Sequence, residues 1–352
     1  MFKRWQSYRK LSTSISMPKH TIDWCSLWDI TNTVSMAMSI SRGSGWWCSS
    51  VVQGGDLGYI VARFLALNYG PEHVKAHHVN NVAPAEPTAT AHPALYAKVQ
   101  ATPLSDSEKA GLGRSEWFSK EGNGYYRQQA TKPQTVGYFM MDSPIGLLAW
   151  IYEKLHDWAD SYDWTDDEIL TWVSIYYFSK AGPAATSYIY YDNEHRDPPV
   201  FAAAQAYSDV PLGISRFPQD LILLPKLWNH TLGPVVYERE YERGGHFAAW
   251  ERPDAIVEDL RTMFGKDGGA YNVVKGKSGF SEHATGPWGA VPFGCSICEG
   301  NGFGWSCSRV FLINWGIHSK LLMRLFWCLS SLCRLAPSSS KQIKKVGYEN
   351  ST

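Results

Sequence analysis

The chain has 352 residues, with 33 lysines and arginines against 33 aspartates and glutamates, and 44% of its residues are hydrophobic. This length and hydrophobic content suffice for one large or two ordinary domains and exclude a wholly disordered chain. The formal net charge of zero argues against a protein built chiefly to bind nucleic acid or anionic lipid. The sequence contains no run of about 18 apolar residues, so it predicts no membrane-spanning helix.

Composition divides the chain into three parts. Residues 1–50 contain six basic and two acidic residues, residues 276–352 contain eight and three, and residues 51–275 contain 19 and 28. All seven cysteines lie outside residues 49–294. The middle therefore has the composition of an ordinary globular protein and needs no disulfide framework.

The two ends carry only weak signals. The N-terminal segment is basic, rich in serine and free of acids before Asp23, which is the composition of a mitochondrial transit peptide. The apolar stretch 310–333 is interrupted by Lys320 and Arg324, so stray hydrophobic sequence explains it better than a segment lying on a membrane surface. The location of the protein stays open between the cytoplasm and the microsomal membrane.

The cysteines near the C-terminus do not form a convincing zinc site. Cys295 and Cys298 make one close pair, with Cys307 beyond, but a zinc site needs four ligands and usually a second close pair. The nearest histidines, His283 and His318, stand at no recognisable spacing. We therefore predict no bound metal.

A strand, a sharp turn and a helix are predicted at the start of the middle part. The β-branched run 49–52 meets a glycine cluster, and a helical pattern then continues to Gly70. This layout is typical of a nucleophile elbow, here Gly54-Gly55-Asp56-Leu57-Gly58, in which small residues let the strand and helix cross closely. A second strand signal at 75–79 fits an alternating β/α core.

A helical, aromatic region follows and then gives way to further core elements. Ser143 before Pro144 can begin a helix, and Thr165 with Glu168 forms a capping box for another. Residues 210–214 and 234–237 are strand-like, and a final helix is predicted over 253–264. The pattern favours an α/β fold in which a helical cap is inserted into the core.

Four motifs in a fixed order resemble the microsomal-type epoxide hydrolases, particularly the fungal ones. The motifs are QGGDLG (53–58), QATKPQT (129–135), DSPIGLLAW (142–150) and GGHFAAWERP (244–253). The resemblance covers roughly residues 49–270. It implies an α/β-hydrolase fold and an enzyme of epoxide metabolism and detoxification that converts an epoxide to a vicinal diol without a cofactor.

The resemblance also implies an organisation in five segments and a small set of partners. The segments are an atypical N-terminal part (1–48), α/β-hydrolase core with the elbow (49–95), a helical cap (96–200), core with the acid and histidine (201–270) and an atypical tail (271–352). The expected partners are an epoxide substrate and water, with no nucleic acid. Membrane association and assembly as a homodimer stay open.

The chemistry of the residues agrees with that resemblance. An elbow aspartate is already ionised and can attack an activated carbon directly, which gives an alkyl-enzyme ester that water must cleave with a general base. The resemblance makes Asp56 the nucleophile, His246 the base and Asp220 the acid that orients it, in the chain order of α/β-hydrolases. Glu238 and Glu242 are rivals of Asp220, but they lie closer to His246 in sequence than the usual geometry requires.

Two cap tyrosines of the resembled family donate hydrogen bonds to the epoxide oxygen as the ring opens. Tyr125 matches the first by its distance from the QATKPQT motif, and Tyr191 matches the second. Their neighbours Tyr126 and Tyr190 stay open as alternatives.

The chain departs from the family ahead of the elbow and after residue 275. Residues 1–55 lack a counterpart of the family's His-Gly-Trp-Pro-Gly-like oxyanion loop and of several strands, so an incomplete core sheet is expected. Losing one oxyanion donor costs roughly 10²–10³ in rate. The alternatives to an active epoxide hydrolase are therefore a truncated or mis-spliced, inactive remnant and a haloalkane dehalogenase, which would need halide-binding Trp or Asn donors in place of the tyrosine pair.

Overall fold

The structure, a computed structural model, describes residues 50–274. The predictions made for the N-terminal segment, for all seven cysteines and for the apolar stretch 310–333 lie outside these residues. No helix within the described residues is both long and apolar enough to cross a membrane. The same part of the chain contains no cluster of three or more His, Cys, Asp or Glu arranged to hold a metal ion.

Four parallel strands form the sheet of the described residues. In chain order they are β1 (Ser50–Gly54), β2 (Val74–Val79), β3 (Leu212–Arg216) and β4 (Val235–Glu240), and their order across the sheet is the same. The first three strands are almost wholly buried, whereas β4 is half-buried along most of its length. A parallel sheet needs cover on both faces, in keeping with the buried Val and Leu side chains at the starts of the two inner strands, Val74 and Leu212, and with Val79 and Ile214 further along. The expected α/β core is confirmed.

Residues 50–274 also contain eleven α-helices. They are α1 (Leu57–Tyr69), α2 (Pro93–Ala101), α3 (Asp106–Trp117), α4 (Gly124–Thr131), α5 (Pro133–Asp142), α6 (Pro144–Asp157), α7 (Asp166–Tyr177), α8 (Ala185–Glu194), α9 (Val200–Ala204), α10 (Ala248–Glu251) and α11 (Pro253–Phe264). A π-helical turn (Phe118–Gly122) follows α3, and a 3₁₀ turn (Lys226–Thr231) precedes β4. All the helices from α2 to α9 lie in the connection between β2 and β3.

The predicted helix starts in this connection are confirmed. The Ser143 hydroxyl accepts a hydrogen bond from the Gly146 amide at 3.0 Å, and Pro144 occupies the first turn of α6. At the start of α7, Thr165 and Glu168 form the complete capping box, in which each side chain accepts a hydrogen bond from the other residue's backbone amide. Local sequence chemistry therefore determines where both helices begin.

Two hydrophobic clusters hold the described residues together. The first packs α1 and α9 onto the sheet, with Tyr59, Val79, Leu212 and Ile214 at its centre. The second lies within the inserted helices and contains the fully buried leucines of α6, but it also includes Phe247 from the segment after β4. This second cluster therefore joins the inserted helices to the part of the core that carries His246.

Candidate active site

The turn between β1 and α1 places Asp56 in a strained backbone conformation. Its φ of 50° and ψ of −123° are unusual for a residue other than glycine. A Cβ at Gly54 would lie 2.1 Å from the Gly58 carbonyl oxygen, and one at Gly55 would lie 2.5 Å from the Asn80 amide. Only glycine fits either position, and the resulting tight turn leaves the Asp56 side chain 18% exposed. The strand, turn and helix expected of an elbow are confirmed.

The other polar groups of the site also follow strands. Asn81 lies two residues beyond the end of β2, Asp220 follows β3 and His246 follows β4. Because the strands are parallel, their carboxyl ends meet at one edge of the sheet, which is where open α/β sheets bind ligands. Four neighbouring strands therefore each contribute one side chain to the same place.

Asp220 and His246 form a buried, hydrogen-bonded pair. His246 Nδ1 lies 2.7 Å from Asp220 Oδ1, and the two side chains are 1% and 3% exposed. The same carboxylate oxygen accepts hydrogen bonds from Asn81 Nδ2 at 3.0 Å and from the Leu221 amide at 2.8 Å. Neither rival acid holds this place, since the Glu238 carboxylate accepts a hydrogen bond from Asn229 and Glu242 is exposed.

The opposite ring nitrogen of His246 faces the elbow. Its Nε2 atom lies 3.6 Å from Asp56 Oδ2, an ion-pair distance that is long for a hydrogen bond. Burial lowers the pKa of His246, but the hydrogen bond and charge of Asp220 and the charge of Asp56 outweigh it and raise the pKa to about 10. The two carboxylates therefore favour the protonated form of the imidazole.

One of the two tyrosines chosen from the sequence lies at this site. Burial, together with the charge of Asp56, raises the pKa of Tyr125 well above its ordinary value. Its ring centroid lies 5.8 Å from that of Tyr190 in an edge-to-face contact, and Tyr190 is 7% exposed. Thr186 and Gln129 line the same narrow cleft as this tyrosine pair.

The structure does not bring Tyr191 to the site. This residue is 38% exposed, and its ring stacks on His195 with the centroids 4.0 Å apart. Neighbouring residues on a helix point about 100° apart, so Tyr190 and Tyr191 of α8 cannot both face Tyr125. The ring that contacts Tyr125 is therefore that of Tyr190, the alternative left open by the sequence, and not that of Tyr191. Tyr126 donates a hydrogen bond to Glu194.

Sequence reasoning missed three residues that support the site. Asn81 could have been found, because a polar residue at the end of a buried strand is a signal for a site at that edge of the sheet. Trp158 gave no signal, yet its ring lies 5.2 Å from that of His246 and its carbonyl accepts the His246 amide hydrogen bond at 2.8 Å. Arg114 of α3 gave none either, although it donates to the backbone carbonyls of Asp220, Gln219 and Asp157.

Two carboxylates fix the glycine turn before His246. Asp160 accepts a hydrogen bond from the Gly244 amide at 2.7 Å, and Glu251 accepts one from the Gly245 amide at 3.1 Å. Gly244 has a φ of +116°, which only glycine adopts without strain. A cavity of about 420 Å³ lies beside this turn and is lined by Asp160, Glu251 and the arginines Arg243 and Arg252, but not by Asp56 or His246. The tyrosine cleft is not lined by Asp56 or His246 either, but it is lined by Tyr125, whose pKa is raised by burial and by the charge of Asp56.

Comparison with known proteins agrees with this architecture. No family model matches the chain. The chain is 35% identical over 221 residues to a candidate epoxide hydrolase of Stigmatella aurantiaca, covering 61% of this chain and 46% of that protein. It is 29% identical over 233 residues to epoxide hydrolase 1 of Sus scrofa, covering 61% and 50%. The crystal structure of the juvenile hormone epoxide hydrolase of Bombyx mori matches with a TM-score of 0.53 and 26% identity, covering 61% of this chain and 54% of that one.

The parallel sheet, the elbow and the acid and histidine at its carboxyl edge define an α/β-hydrolase fold. Within that class the chain is related to the epoxide hydrolases, as the four sequence motifs indicated. The chain spans about half the length of the curated relatives it matches.

Proposed function

We propose that this chain carries the catalytic groups of an epoxide hydrolase and converts an epoxide to a vicinal diol through an ester on Asp56. The observation that carries the proposal is the line of three side chains in which His246 lies between Asp220, at 2.7 Å, and Asp56, at 3.6 Å. Such a line is suited to a nucleophile that needs no base for its own attack but does need one for the hydrolysis that follows.

In the first step an oxygen of Asp56 attacks one carbon of the epoxide ring. A carbon–oxygen bond forms on the aspartate as the ring carbon–oxygen bond breaks, and the electrons of the broken bond stay on the epoxide oxygen. This oxygen then takes a proton from a phenol. Tyr125 and Tyr190 are suited to this role, because their rings are in contact in the cleft. Burial and the charge of Asp56 also raise the pKa of Tyr125.

In the second step water cleaves the ester. Once Asp56 is esterified, His246 gives up its extra proton to solvent, and the free Nε2 takes a proton from water as the water oxygen adds to the ester carbon. Collapse of the tetrahedral intermediate breaks the ester bond, the proton on His246 passes to the leaving diol oxygen, and the carboxylic acid regenerated on Asp56 returns its proton to the phenolate. The backbone amide of Leu57, the residue after the nucleophile, is the oxyanion donor that the elbow itself supplies. Esterification also removes the charge of Asp56, which is one cause of the raised pKa of His246. The pKa of His246 therefore falls after the first step, so the imidazole can lose its extra proton and accept one from water in the second.

The test is to offer styrene oxide to the full chain and measure diol formation. We expect Asp56→Asn to abolish turnover, and His246→Gln to accumulate a protein that is heavier by one substrate molecule. A diol rate unchanged by Asp56→Asn would contradict the proposal. Release of halide from a chloroalkane, with no diol from styrene oxide, would instead favour the dehalogenase alternative.

The tyrosine assignment has its own matched pair of variants. Tyr190→Phe removes the hydroxyl that lies beside Tyr125, whereas Tyr191→Phe removes one that faces outward on the same helix. We expect the first to slow ester formation by about 10²-fold, in keeping with loss of one oxyanion donor, and the second to leave it unchanged. The reverse result would restore the choice made from the sequence.

A further inference from the structure

Lys154 of α6 is a lysine buried in the protein interior. Its side chain is 1% exposed, and Nζ lies 2.7 Å from Oε1 of Glu153, whose side chain is 57% exposed. An ammonium group loses hydration on burial, and this burial lowers the pKa of Lys154 even though Glu153 and Asp157 act to raise it. A methionine or leucine would fill the same space without the loss of hydration that a buried ammonium group suffers. The positive charge at this position therefore needs a functional explanation.

The ammonium group lies over the faces of two aromatic rings. Lys154 Nζ is 4.3 Å from the ring centroid of Trp150 and 5.2 Å from that of Tyr125. Both distances fall within the range of cation–π attraction. The charge of Asp56 is, after burial, a cause of the raised pKa of Tyr125. The Tyr125 side chain therefore interacts with the cation over its ring face and with the anion of Asp56.

We propose that Lys154 is a positioning residue that acts through the Tyr125 ring and makes this phenol a stronger hydrogen-bond donor to the opening epoxide. This inference rests on the proposed function. As the phenol gives up its hydrogen, electron density shifts from the oxygen into the ring, and a cation over the ring face stabilises that density. The charge of Asp56 opposes this change, because it raises the pKa of Tyr125. The cation of Lys154 therefore offsets part of the effect of Asp56 on the Tyr125 phenol.

Kinetics of the two half-reactions distinguish this role from simple packing. Lys154→Met keeps the length of the side chain and removes its charge, and Lys154→Arg restores a cation. We expect the methionine variant to form the Asp56 ester roughly tenfold more slowly, with hydrolysis of the ester unchanged, and the arginine variant to recover most of the loss. Lys154→Gln replaces the methionine variant if that protein does not fold. Lys120→Met, at an exposed ion pair with Glu116, is the matched control.

A double-mutant cycle with Tyr125→Phe tests whether the effect passes through the phenol. In the Tyr125→Phe protein, Lys154→Met should slow ester formation no further. An equal loss in both backgrounds, or an equal slowing of both half-reactions, would overturn the proposal in favour of a packing role.

A spectroscopic measurement separates this inference from the proposed function. In protein labelled at the tyrosine ring carbons, the ¹³Cζ resonance of Tyr125, assigned with Tyr125→Phe, should shift in Lys154→Met and stay near its native position in Lys154→Arg. If no epoxide is turned over but the resonance shifts, the proposed function fails while the contact stands. If the wild-type enzyme is active and the resonance does not respond to loss of the cation, the role of Lys154 fails by itself.

Discussion

His246 Nε2 lies 3.6 Å from Oδ2 of Asp56, so the proposed base faces the proposed nucleophile at ion-pair distance. The carboxylates of Asp220 and Asp56 raise the pKa of the buried imidazole to about 10, so they favour its protonated form. In the proposed mechanism the histidine keeps this proton until the aspartate becomes an ester.

The first prediction concerns the titration of His246. Its folded pKa, about 10, lies above the ordinary value of 6.5, so its ionisation contributes stability that is fully present below about pH 6.5. That contribution is lost as the pH rises through about 10. We expect Asp56→Asn to lower the pKa of His246, because one of the two anions that hold its proton is removed.

Imidazole NMR titrations of the wild type and of Asp56→Asn measure this pKa directly, and urea unfolding at pH 7 and pH 10 measures its effect on stability. The exposed His195, next to the C-terminal end of α8, serves as an internal reference, because its ring stacks on the exposed Tyr191. A His246 resonance that titrates at the same pH in both proteins would show that Asp56 does not influence it.

The second prediction concerns Asn81, whose side-chain amide donates to Asp220 Oδ1 at 3.0 Å. Asn81→Ala removes one of three hydrogen bonds to this oxygen, which leaves the acid less firmly oriented toward the histidine. We expect hydrolysis of the ester to slow by about tenfold with little change in ester formation, since only the second step needs the base. Single-turnover kinetics resolve the two steps.

Asn68→Ala is the matched control for Asn81, because its amide bonds to a carbonyl on the exposed surface of α1. We expect both half-reactions of the control to keep their wild-type rates. A loss confined to ester formation in Asn81→Ala would mean that Asn81 acts on the nucleophile and not on the acid.

The elbow could be predicted from the sequence because its signal is local. Gly54 is required by a contact only four positions away, the close approach of Gly58. His246 and Asp220 came from the resemblance, and their contact depends on parallel pairing of β3 with β4. Local sequence alone does not determine such a contact.

The sequence could not decide between Tyr190 and Tyr191 for a different reason. The two residues are adjacent and chemically identical, so only the rotation of α8 against α4 decides which ring meets Tyr125. Arg114 and Trp158 were missed because their roles depend on backbone carbonyls and on a ring packed across the fold. Neither feature leaves a pattern in the sequence around these residues.

The third prediction tests the geometry of the elbow. Gly54→Ala would place a methyl group 2.1 Å from the Gly58 carbonyl oxygen, so the strand and helix must separate. We expect a loss of about 1–3 kcal/mol in the free energy of unfolding, as for other overpacked sites, and a loss of ester formation. Denaturant unfolding and single-turnover kinetics measure the two effects.

The control for Gly54 is another glycine to which a methyl group can be added freely. Gly113 lies in α3, and a Cβ there would meet no atom within 4 Å. We expect Gly113→Ala to stabilise the protein by about 0.5–1 kcal/mol, since alanine is the better helix former. Equal stability changes in the two variants would show that the close crossing at the elbow is not maintained in solution.

The fourth prediction concerns Arg63 of α1, which is fully buried and ties three separate segments of the core together. Its guanidinium donates to the carbonyls of Ala204, Ala206 and Leu232 and contacts Nε2 of His77 at 3.0 Å. Burial lowers the pKa of Arg63, and the neighbouring Tyr59 acts against this shift. The cation is thus held by backbone dipoles.

Arg63→Met would leave these buried carbonyls without their donor, at a cost of about 1–3 kcal/mol for each group that no other donor reaches. We expect the free energy of unfolding to fall by at least about 3 kcal/mol, and Arg63→Lys to restore only part of it, because a lysine cannot reproduce the planar fork. The exposed Arg127→Met should change stability by less than about 0.5 kcal/mol. Urea unfolding of the three variants measures these differences, and full rescue by lysine would mean that the charge alone, and not the geometry of the fork, holds the segments together.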